Sequence, residues 1–275
     1  MFFYFLLFLG IYAFICIFFY FTQNLYFFRP EILPKSFTFD YPFDFEENNF
    51  TMEDGAEINS ILFKVPNSRG VIFYFKGNSR SIKGWSKFAK DFIANGYDFF
   101  MMDYRGFGKS RGKKSETMLF NDSQYLYKWL TNKYSEKEIV IYGRSLGSGI
   151  ATRIASWNNP RMLILDSPYI SFYANVSRWA WWLPLRWLLK YPIRTDQFIR
   201  NVQAHIYIIH GTKDYLIPYG HSLKLLEIRP DITLYSIEGA HHNDLPSFSE
   251  YHQILYDLLD IADDGDPSLQ NLLVA

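Results

Sequence analysis

Seven short runs of apolar, β-forming residues punctuate the chain: INSILFKV, GVIFYF, YDFFMMD, EIVIYG, RMLILD, HIYIIHG and ITLYSIEG. Most are continuous rather than alternating, which is typical of strands covered on both faces. Between them, apolar residues recur at helical spacing, predicting helices over residues 81–95, 116–134, 146–157, 219–228 and 249–262. Strands and helices in alternation predict an α/β fold, with a mostly parallel, doubly wound sheet and function at the carboxyl ends of its strands.

Residues 171–201 interrupt this alternation with a long segment between two predicted strands. Such a connection far exceeds the usual length, so it predicts a helical lid insertion. It contains four tryptophans, Trp179, Trp181, Trp182 and Trp187. Aromatic residues at helical spacing often pack into a core. The alternative is that Trp181 and Trp182 belong to an apolar face that contacts lipid or the acyl chain of a substrate.

Residues 2–21 carry no charge and no proline, and about 20 helical residues match a bilayer core of roughly 30 Å. This predicts one N-terminal transmembrane helix. A cleaved signal peptide is the rival interpretation, but a basic start and a small-residue cleavage site are both missing. The nearest cations, Arg29 and Lys35, flank the C-terminal end, which predicts a membrane protein with its main domain in the cytoplasm.

We therefore expect four regions along the chain. They are a transmembrane anchor over 1–24, a tether over 25–54, a catalytic domain over 55–262 and a C-terminal tail over 263–275. Lysine plus arginine equals aspartate plus glutamate at 28 each, and no basic run stands out, so we expect no nucleic-acid partner. The single cysteine, Cys16, excludes an intrachain disulfide.

The segment Gly143-Arg144-Ser145-Leu146-Gly147 fits the pattern G-x-S-x-G. A predicted strand ends just before it and a predicted helix begins within it, which is the strand-to-helix turn of a nucleophile elbow. The serine there adopts a strained backbone conformation, and glycines two residues before and after it allow close backbone approach. This pattern predicts Ser145 as a nucleophile.

A serine hydroxyl needs a base to take its proton and a carboxylate to orient that base. Asp214 lies in the loop after the strand HIYIIHG, and the strand ITLYSIEG opens into Ala240-His241-His242-Asn243-Asp244. The chain order Ser, Asp, His is the one expected for this architecture. Spacing alone leaves the choice of base between His241 and His242 open.

Other signals favour different sites only weakly. The letters GKS lack the glycine that a phosphate-binding loop requires at Asp103, so no nucleotide site is expected. Adjacent histidines are poorly placed to share one tetrahedral ion, so we expect no metal and no other cofactor. Asp103 and Asp166 also end strands and are alternative candidates for the triad acid, but we expect them to be structural partners of nearby backbone and arginine groups.

Six segments together resemble successive signatures of α/β-hydrolase-fold serine hydrolases: YFKGNSRSIKGW, MDYRGFGKSRG, IYGRSLGSGIA, DSPY, IIHGTKDYLIP and IEGAHHND. The branch that they are most similar to is the membrane-anchored, serine-aminopeptidase-like one, which includes acyl-protein thioesterases and lysophospholipases. The resemblance covers about residues 55–260. It implies the α/β-hydrolase fold.

The resemblance also implies roles for particular residues. It aligns His242 with the catalytic base and Asp214 with the acid. The oxyanion hole requires two backbone N–H groups; Leu146, after the nucleophile, should supply one, and the resemblance places the other at Asn78. Lys76 stands where the family usually has histidine. It is either part of the substrate site or an ordinary solvated lysine.

The sequence thus predicts a membrane-anchored serine hydrolase that cleaves esters or thioesters, with lipid-like or acyl substrates and membrane lipid as its partners. Two alternatives stay open. One is an aminopeptidase-like activity, which requires an acidic anchor for a free amine. The other is a catalytically silent hydrolase fold that serves as a membrane-tethered interaction module.

Overall fold

The structure is a computed structural model that describes residues 1–264. It contains one eight-stranded sheet, in the order β1-β2-β4-β3-β5-β6-β7-β8. The strands are β1 Phe45–Thr51, β2 Glu57–Phe63, β3 Val71–Phe75, β4 Asp98–Met102, β5 Ile139–Arg144, β6 Met162–Asp166, β7 His205–Gly211 and β8 Thr233–Ile237. Pairs β1–β2 and β2–β4 are antiparallel, and all the others are parallel. The predicted sheet is confirmed, and all seven predicted strands lie in it.

Two hydrophobic clusters cover the two faces of the sheet. Both faces of β3, β5 and β6 are fully buried. This explains why the sequence of these strands is continuously apolar, since a doubly covered strand has no face on which polar residues are favoured.

The eighth strand, β1, lies at the edge of the sheet and was not predicted. Its sequence FEENNFT is mostly polar, and it is exposed or half-buried throughout. It pairs with β2 over its whole length, from Phe45 opposite Phe63 to Thr51 opposite Glu57. Backbone pairing therefore holds the strand where its own hydrophobic pattern gives no signal.

Seven helices belong to the body of the fold outside the lid, counted over residues 1–264. They are α1 Phe2–Phe27, α2 Ile82–Trp85, α3 Ala89–Ile93, α4 Glu116–Thr131, α5 Leu146–Trp157, α9 Gly220–Ile228 and α10 Ser249–Asp264. The predicted helix over 81–95 is broken, because a 3₁₀ turn at Ser86–Phe88 separates α2 from α3. The predicted tail begins at residue 263, but α10 includes residues 263 and 264. The rest of the predicted tail, from residue 265, lies outside the described residues.

The lid consists of three short helices, α6 Phe172–Ala180, α7 Leu185–Leu188 and α8 Thr195–Phe198. Ser171 caps α6 by accepting a hydrogen bond from the Ala174 N–H at 3.0 Å. The prediction that this segment is helical and inserted between two strands is confirmed.

The helix α1 is a candidate membrane span by length and composition, with a mean hydropathy of 2.5. Its C-terminal half does not project from the domain. Gln23 is fully buried, and Phe27 and Phe28 are also buried. One side of the helix packs on the lid.

The prediction of a tether over residues 25–54 is wrong for most of that range. Leu33 and Phe39 are buried under the fold, and β1 is part of the sheet. The segment was predicted as a tether because it contains many prolines and polar residues. Its few buried apolar side chains pack individually and form no periodic pattern that would indicate a helix or strand.

Candidate active site

The site lies at the carboxyl ends of the adjacent strands β3 and β5, where the chain connections leave in opposite directions along the sheet. From β3 the chain crosses to β4 on one side, whereas β5 lies on the other side of β3. Such a switch point leaves a crevice at the carboxyl ends of the two strands, which is where α/β proteins bind ligands. The loop after β3 contains Asn78, and the turn after β5 contains Ser145.

Ser145 occupies a strained turn between β5 and α5. Its φ is 53° and its ψ −120°, a conformation that non-glycine residues rarely adopt. Its N–H donates to the Asp166 carbonyl at 2.9 Å, which ties the turn to β6. The side chain is half-buried at the start of α5, whose first N–H groups have no intrahelical acceptor.

The glycines on either side of Ser145 are required by space. A Cβ on Gly143 would lie 2.5 Å from the Ala151 Cβ, and one on Gly147 would overlap the Phe75 carbonyl. The sharp turn can form only because these two positions have no side chain. The close approach predicted from the pattern is therefore present.

Three side chains from separate loops meet at this turn. His242 Nε2 lies 2.9 Å from Ser145 Oγ, and His242 Nδ1 lies 2.7 Å from Asp214 Oδ2. Since an ionised carboxylate only accepts hydrogen bonds, Nδ1 carries the hydrogen, and Nε2 is free to accept the Ser145 hydroxyl proton. His241 is exposed and lies outside this chain of hydrogen bonds.

Asp214 is held by several donors besides His242. Its Oδ1 accepts the N–H groups of Leu216 at 2.9 Å and Ile217 at 2.8 Å. Burial alone would raise the pKa of Asp214. Hydrogen bonds from His210 and His242, together with the charge of a protonated His242, outweigh burial and hold this pKa well below its usual range. The carboxylate is thus kept ionised beside the imidazole.

His210 supports the acid, a role that was not predicted from the sequence. Its Nε2 donates to the Ile217 carbonyl at 2.9 Å and lies 3.3 Å from Asp214 Oδ2, while Nδ1 accepts from Ser222 Oγ at 2.6 Å. His210 therefore fixes the loop that carries Asp214. The four-residue spacing between His210 and Asp214 was the available signal.

Arg144 and Asp166 form a second support beneath the site. Arg144 donates to the His242 carbonyl at 3.2 Å and lies 3.5 Å from Asp166 Oδ2. Asp166 also accepts from the Tyr142 hydroxyl at 2.9 Å. The expectation that Asp166 is a structural partner of a nearby arginine is confirmed.

The loop after β3 runs beside the nucleophile. A Cβ built on Gly77 would lie 3.7 Å from the Ser145 Cβ. The next residue, Asn78, is held by the chain leaving α1. Its carbonyl accepts the Arg29 N–H at 2.8 Å, and its side-chain amide donates to the Phe27 carbonyl at 3.0 Å. The Asn78 loop is thus fixed from the side of the anchor, which sequence reasoning did not foresee.

Lys76 is neither solvated nor open to a substrate, which corrects both interpretations of this residue. Its side chain is fully buried, with Nζ 3.3 Å from Asp103 Oδ1 and 3.8 Å from the centre of the Phe107 ring. Asp103 in turn accepts the Ile82 N–H at 3.0 Å, so its expected structural role is confirmed. Lys76 points into the interior because Asp103 and the aromatic ring there compensate its charge.

Burial shifts the pKa values of this pair in opposite directions. It lowers the pKa of Lys76 to about 8 and raises that of Asp103 to about 6, in each case against the attraction of the partner. Burial therefore disfavours the charged form of each group, and the attraction between the two offsets part of this cost. The buried ion pair lies directly under the Gly77-Asn78 loop.

The lid tryptophans are exposed. Trp181 is 78% and Trp187 83% accessible, and Trp179 and Trp182 about half. The interpretation of Trp181 and Trp187 as core residues is therefore wrong. The lid also contacts the loop that follows the acid, since Arg178 donates to the carbonyls of Tyr215 at 3.3 Å and Leu216 at 3.1 Å.

Within residues 1–264, no group of three or more histidine, cysteine, aspartate or glutamate side chains is placed to hold a metal ion. The groups that the site does offer are a serine hydroxyl, an imidazole with an ionised carboxylate behind it, and backbone N–H groups at a helix start. Such an arrangement is suited to acyl transfer through a covalent serine intermediate.

Comparisons with known proteins find similarity to hydrolases. A family model described as "Serine aminopeptidase, S33" matches residues 66–197. The chain is 26% identical over 229 residues to the lysophosphatidylserine lipase ABHD12 of Danio rerio, covering 75% of this chain and 57% of that protein. It is 26% identical over 231 residues to the uncharacterized protein YfhR of Escherichia coli K12, covering 78% of each.

Solved structures with the same fold include an esterase, Pf2001, from Pyrococcus furiosus. Its TM-score is 0.68 at 21% identity, covering 83% of this chain and 96% of the esterase. An α/β serine hydrolase homologue from Coxiella burnetii has a TM-score of 0.59 at 15% identity, covering 82% of this chain and 100% of that one. At these identities the likeness establishes the fold.

Proposed function

Because the chain is a hydrolase of the α/β-hydrolase fold, we propose that it is a membrane-anchored serine hydrolase that cleaves esters or thioesters through an acyl-enzyme on Ser145. The observation that carries the proposal is the continuous hydrogen-bonded chain from Ser145 Oγ through His242 to Asp214. Ser222 and His210 are arranged similarly beside Asp214, but both are fully buried, so Ser145 is the hydroxyl of the two that a substrate can reach.

The first half of the reaction forms the acyl-enzyme. Ser145 Oγ attacks the substrate carbonyl carbon while His242 Nε2 takes the hydroxyl proton, and Asp214 stabilises the resulting imidazolium. The carbonyl oxygen becomes an oxyanion, which accepts hydrogen bonds from the N–H groups of Leu146 and Asn78. The intermediate then expels the alcohol or thiol, and His242 returns the proton to this leaving group.

The second half repeats these steps with water. His242 takes a proton from a water molecule as its oxygen attacks the acyl carbon. The second oxyanion is held by the same two N–H groups, and its collapse breaks the bond to Ser145 Oγ. The serine recovers its proton from His242, and the carboxylic acid leaves.

Lipid-like or acyl substrates are the class that the surroundings of the site favour. One relative is named a lysophosphatidylserine lipase. The lid exposes four tryptophans, and the residues after Asp214, Tyr215 and Leu216, are 75% and 57% exposed. Apolar surface near the site suits a substrate with an acyl chain.

Membrane anchoring is supported by α1. Its 26 residues contain no charge and exceed the roughly 20 that a bilayer core requires. With Arg29 and Lys35 after its C-terminal end, the positive-inside rule puts the catalytic domain in the cytoplasm.

The test is labelling of the purified full-length chain, in detergent, with a fluorophosphonate probe. We expect wild type to label, Ser145→Ala to be blank and His242→Ala to label at least about 10²-fold more slowly. Ser156→Ala removes a serine at the far end of α5 and should label like wild type. A chain that folds normally but does not label would be a silent interaction module.

The substrate class is resolved with a panel that consists of p-nitrophenyl esters of graded chain length, acyl thioesters, a lysophospholipid and aminoacyl amides. The proposal expects ester or thioester turnover that Ser145→Ala abolishes. Turnover of aminoacyl amides alone would favour the peptidase activity to which the matching family model refers, and would overturn the ester assignment.

A further inference from the structure

We propose that the tip of the lid, residues 179–187, lies inside the lipid bilayer beside α1, so that the catalytic site opens toward the leaflet and takes its substrate from there. This deepens the proposed function and rests on it for the identity of the catalytic site. The position of the lid in the membrane follows independently, from the register between α1 and the lid.

One stripe of α1 packs against the domain. Its members are buried or half-buried and recur every three or four residues: Tyr12, Ile15, Cys16, Phe19, Gln23 and Phe27. Hydrogen bonds fix the register of this stripe. The Tyr12 hydroxyl donates to the Trp182 carbonyl at 2.9 Å, and the Gln23 side chain donates to the Leu188 carbonyl and accepts the Lys190 N–H, both at 2.9 Å.

Gln23 is a strong constraint, because its amide is fully buried. A buried amide that loses its partners costs about 1–3 kcal/mol for each unsatisfied group. Separation of α1 from the lid is therefore unfavourable in water, and more so in a lipid environment that offers no substitute partners. We infer that the two elements stay together in the membrane.

The helical rise then sets the depth of the lid. Only residues 2–11 of α1 are free of the domain, and ten residues span about 15 Å, half of the roughly 30 Å hydrocarbon core. A bilayer that contains α1 over the required 20 residues must therefore extend past Tyr12. It then surrounds whatever lies beside Tyr12, which is Trp182.

The exposed tryptophans of the lid tip match this position, and the one charged side chain within the tip, Arg186, is exposed and long enough to extend toward the headgroups. Lys190 Nζ lies 4.1 Å from the centre of the Tyr20 ring. Since lysine and tyrosine side chains favour the headgroup region, we place Tyr20 at that level of the bilayer.

Tyr12 lies eight residues deeper along α1, which is about 12 Å. At that depth the domain presents Trp181 and Trp182. A crevice of about 190 Å³ between the lid and α1 extends from there toward Tyr26, and its walls are mostly apolar side chains.

The lid connects its membrane-embedded tip to the loop of the catalytic acid. Arg178, at the base of the tip, holds the carbonyls of Tyr215 and Leu216, the two residues after Asp214. Both of these side chains are exposed. The lid tip is thus tied through Arg178 to a loop that exposes two further large side chains beside Asp214, and we infer that an acyl chain passes from the leaflet along this side of the lid.

The depth is measured on the full-length chain with Ser145→Ala, so that the result does not depend on activity. Cys16→Ala removes the only native thiol. Single cysteines then carry a nitroxide at Trp182 or Trp187, with Phe8→Cys as a reference within the bilayer and Tyr256→Cys as a control on α10. The proteins are placed in vesicles of phosphatidylcholine and phosphatidylserine.

We expect a label at 182 to be relaxed by oxygen, which concentrates in lipid, and protected from a water-soluble nickel chelate, as at position 8. A label at 187, whose neighbour Leu188 lies beside Gln23, should be intermediate between positions 8 and 256. The control at 256 should show the reverse. Labels at 182 and 187 that behave like the control would overturn the proposal. Protection from both reagents with dipolar broadening would also overturn it, because a second copy of the chain would then cover the tip.

Activity provides a second, separate readout. In the catalytically intact chain, Trp181→Ser with Trp187→Ser should lower kcat/KM for a long-chain ester in vesicles by about tenfold or more, while a soluble short-chain ester changes less than about twofold. Trp157→Ser, outside the lid, is the matched control. Equal loss on both esters would contradict the proposed route, whereas absence of any esterase activity in wild type would contradict the proposed function only.

Discussion

At the scale of single residues, the site depends on side chains that compensate one another's burial. The clearest case outside the catalytic residues is Lys76 with Asp103, a fully buried ion pair under the Gly77-Asn78 loop. Removing one member leaves the other charge buried without compensation. The cost of such a change is therefore larger than the attraction within the pair.

We predict that Lys76→Met lowers the free energy of unfolding by about 3–5 kcal/mol at pH 7.5. Burial already raises the pKa of Asp103 to about 6. Stability from a group with a raised pKa is fully present below its unfolded value and is lost as pH rises through the folded value. Without Lys76 the pKa of Asp103 rises further, so the variant should lose less stability at pH 5 than at pH 7.5.

Chemical denaturation in detergent, followed by circular dichroism at both pH values, checks this prediction. Lys87→Met changes an exposed lysine nearby and should stay within about 0.5 kcal/mol of wild type. A loss for Lys76→Met that is the same at both pH values would show that its charge does not act through Asp103.

A second residue-scale prediction concerns two glycines. Gly147→Ala should prevent the nucleophile turn from forming, because the added Cβ would overlap the Phe75 carbonyl and lie 2.7 Å from the Lys76 carbonyl. We expect fluorophosphonate labelling to fall by at least about 10²-fold. Gly220→Ala, at the start of α9, meets no atom within 4 Å and should raise stability by about 0.4–1 kcal/mol. Normal labelling of Gly147→Ala would contradict the proposed elbow.

At the scale of elements, the segment after α1 holds the Asn78 loop in place, which was not predicted from the sequence. Residues 29–32 form isolated parallel bridges with the Asn78 loop and with Gly108. The Arg29 N–H donates to the Asn78 carbonyl, and the Arg29 carbonyl accepts the Arg80 N–H at 2.9 Å. A loop that lacks regular structure of its own is thus paired on one side by the chain that leaves the anchor.

We predict that Arg29→Pro lowers kcat for a short-chain ester by about tenfold with little change in KM, since proline removes the N–H that positions Asn78. Arg29→Ala keeps this N–H and is the matched control, with activity near that of wild type. Steady-state kinetics in detergent distinguish the two variants. Equal activity of both would mean that Asn78 is positioned without this hydrogen bond.

Elements also show where sequence reasoning succeeds. Strands β3, β5 and β6 were predictable because full burial on both faces imposes an apolar run. The turn at Ser145 was predictable because steric exclusion leaves glycine as the only choice at two fixed positions. In contrast, β1 was missed because an edge strand is selected by backbone pairing, which its side chains do not reveal.

At the scale of the whole molecule, long-range contacts limit what the sequence can predict. The mostly parallel sheet and the place of the site at the carboxyl ends of its strands follow from general rules of α/β folds, whereas the strand order was not predicted. The choice of His242 over His241 required a resemblance, because adjacent residues of one loop differ only in orientation. The burial of Lys76 and the docking of residues 25–43 depend on partners far away along the chain.

The register between α1 and the lid is such a long-range fact. Tyr12 and Trp182 are 170 positions apart, and their hydrogen bond does not follow from any local pattern. Together with the hydrogen bonds of Gln23, it makes α1 and the α/β domain one packed unit. The helix α1 is therefore part of the fold.

The pairing of Arg29 with Asn78 makes the anchor unsuitable as an exchangeable module. A chimaera that joins a foreign membrane segment to this chain should retain everything from Phe27 onward, or the Asn78 loop loses a backbone partner. By the same reasoning, a secreted or cytosolic form obtained by trimming past Pro30 would be a damaged catalyst, even if it folded and stayed in solution.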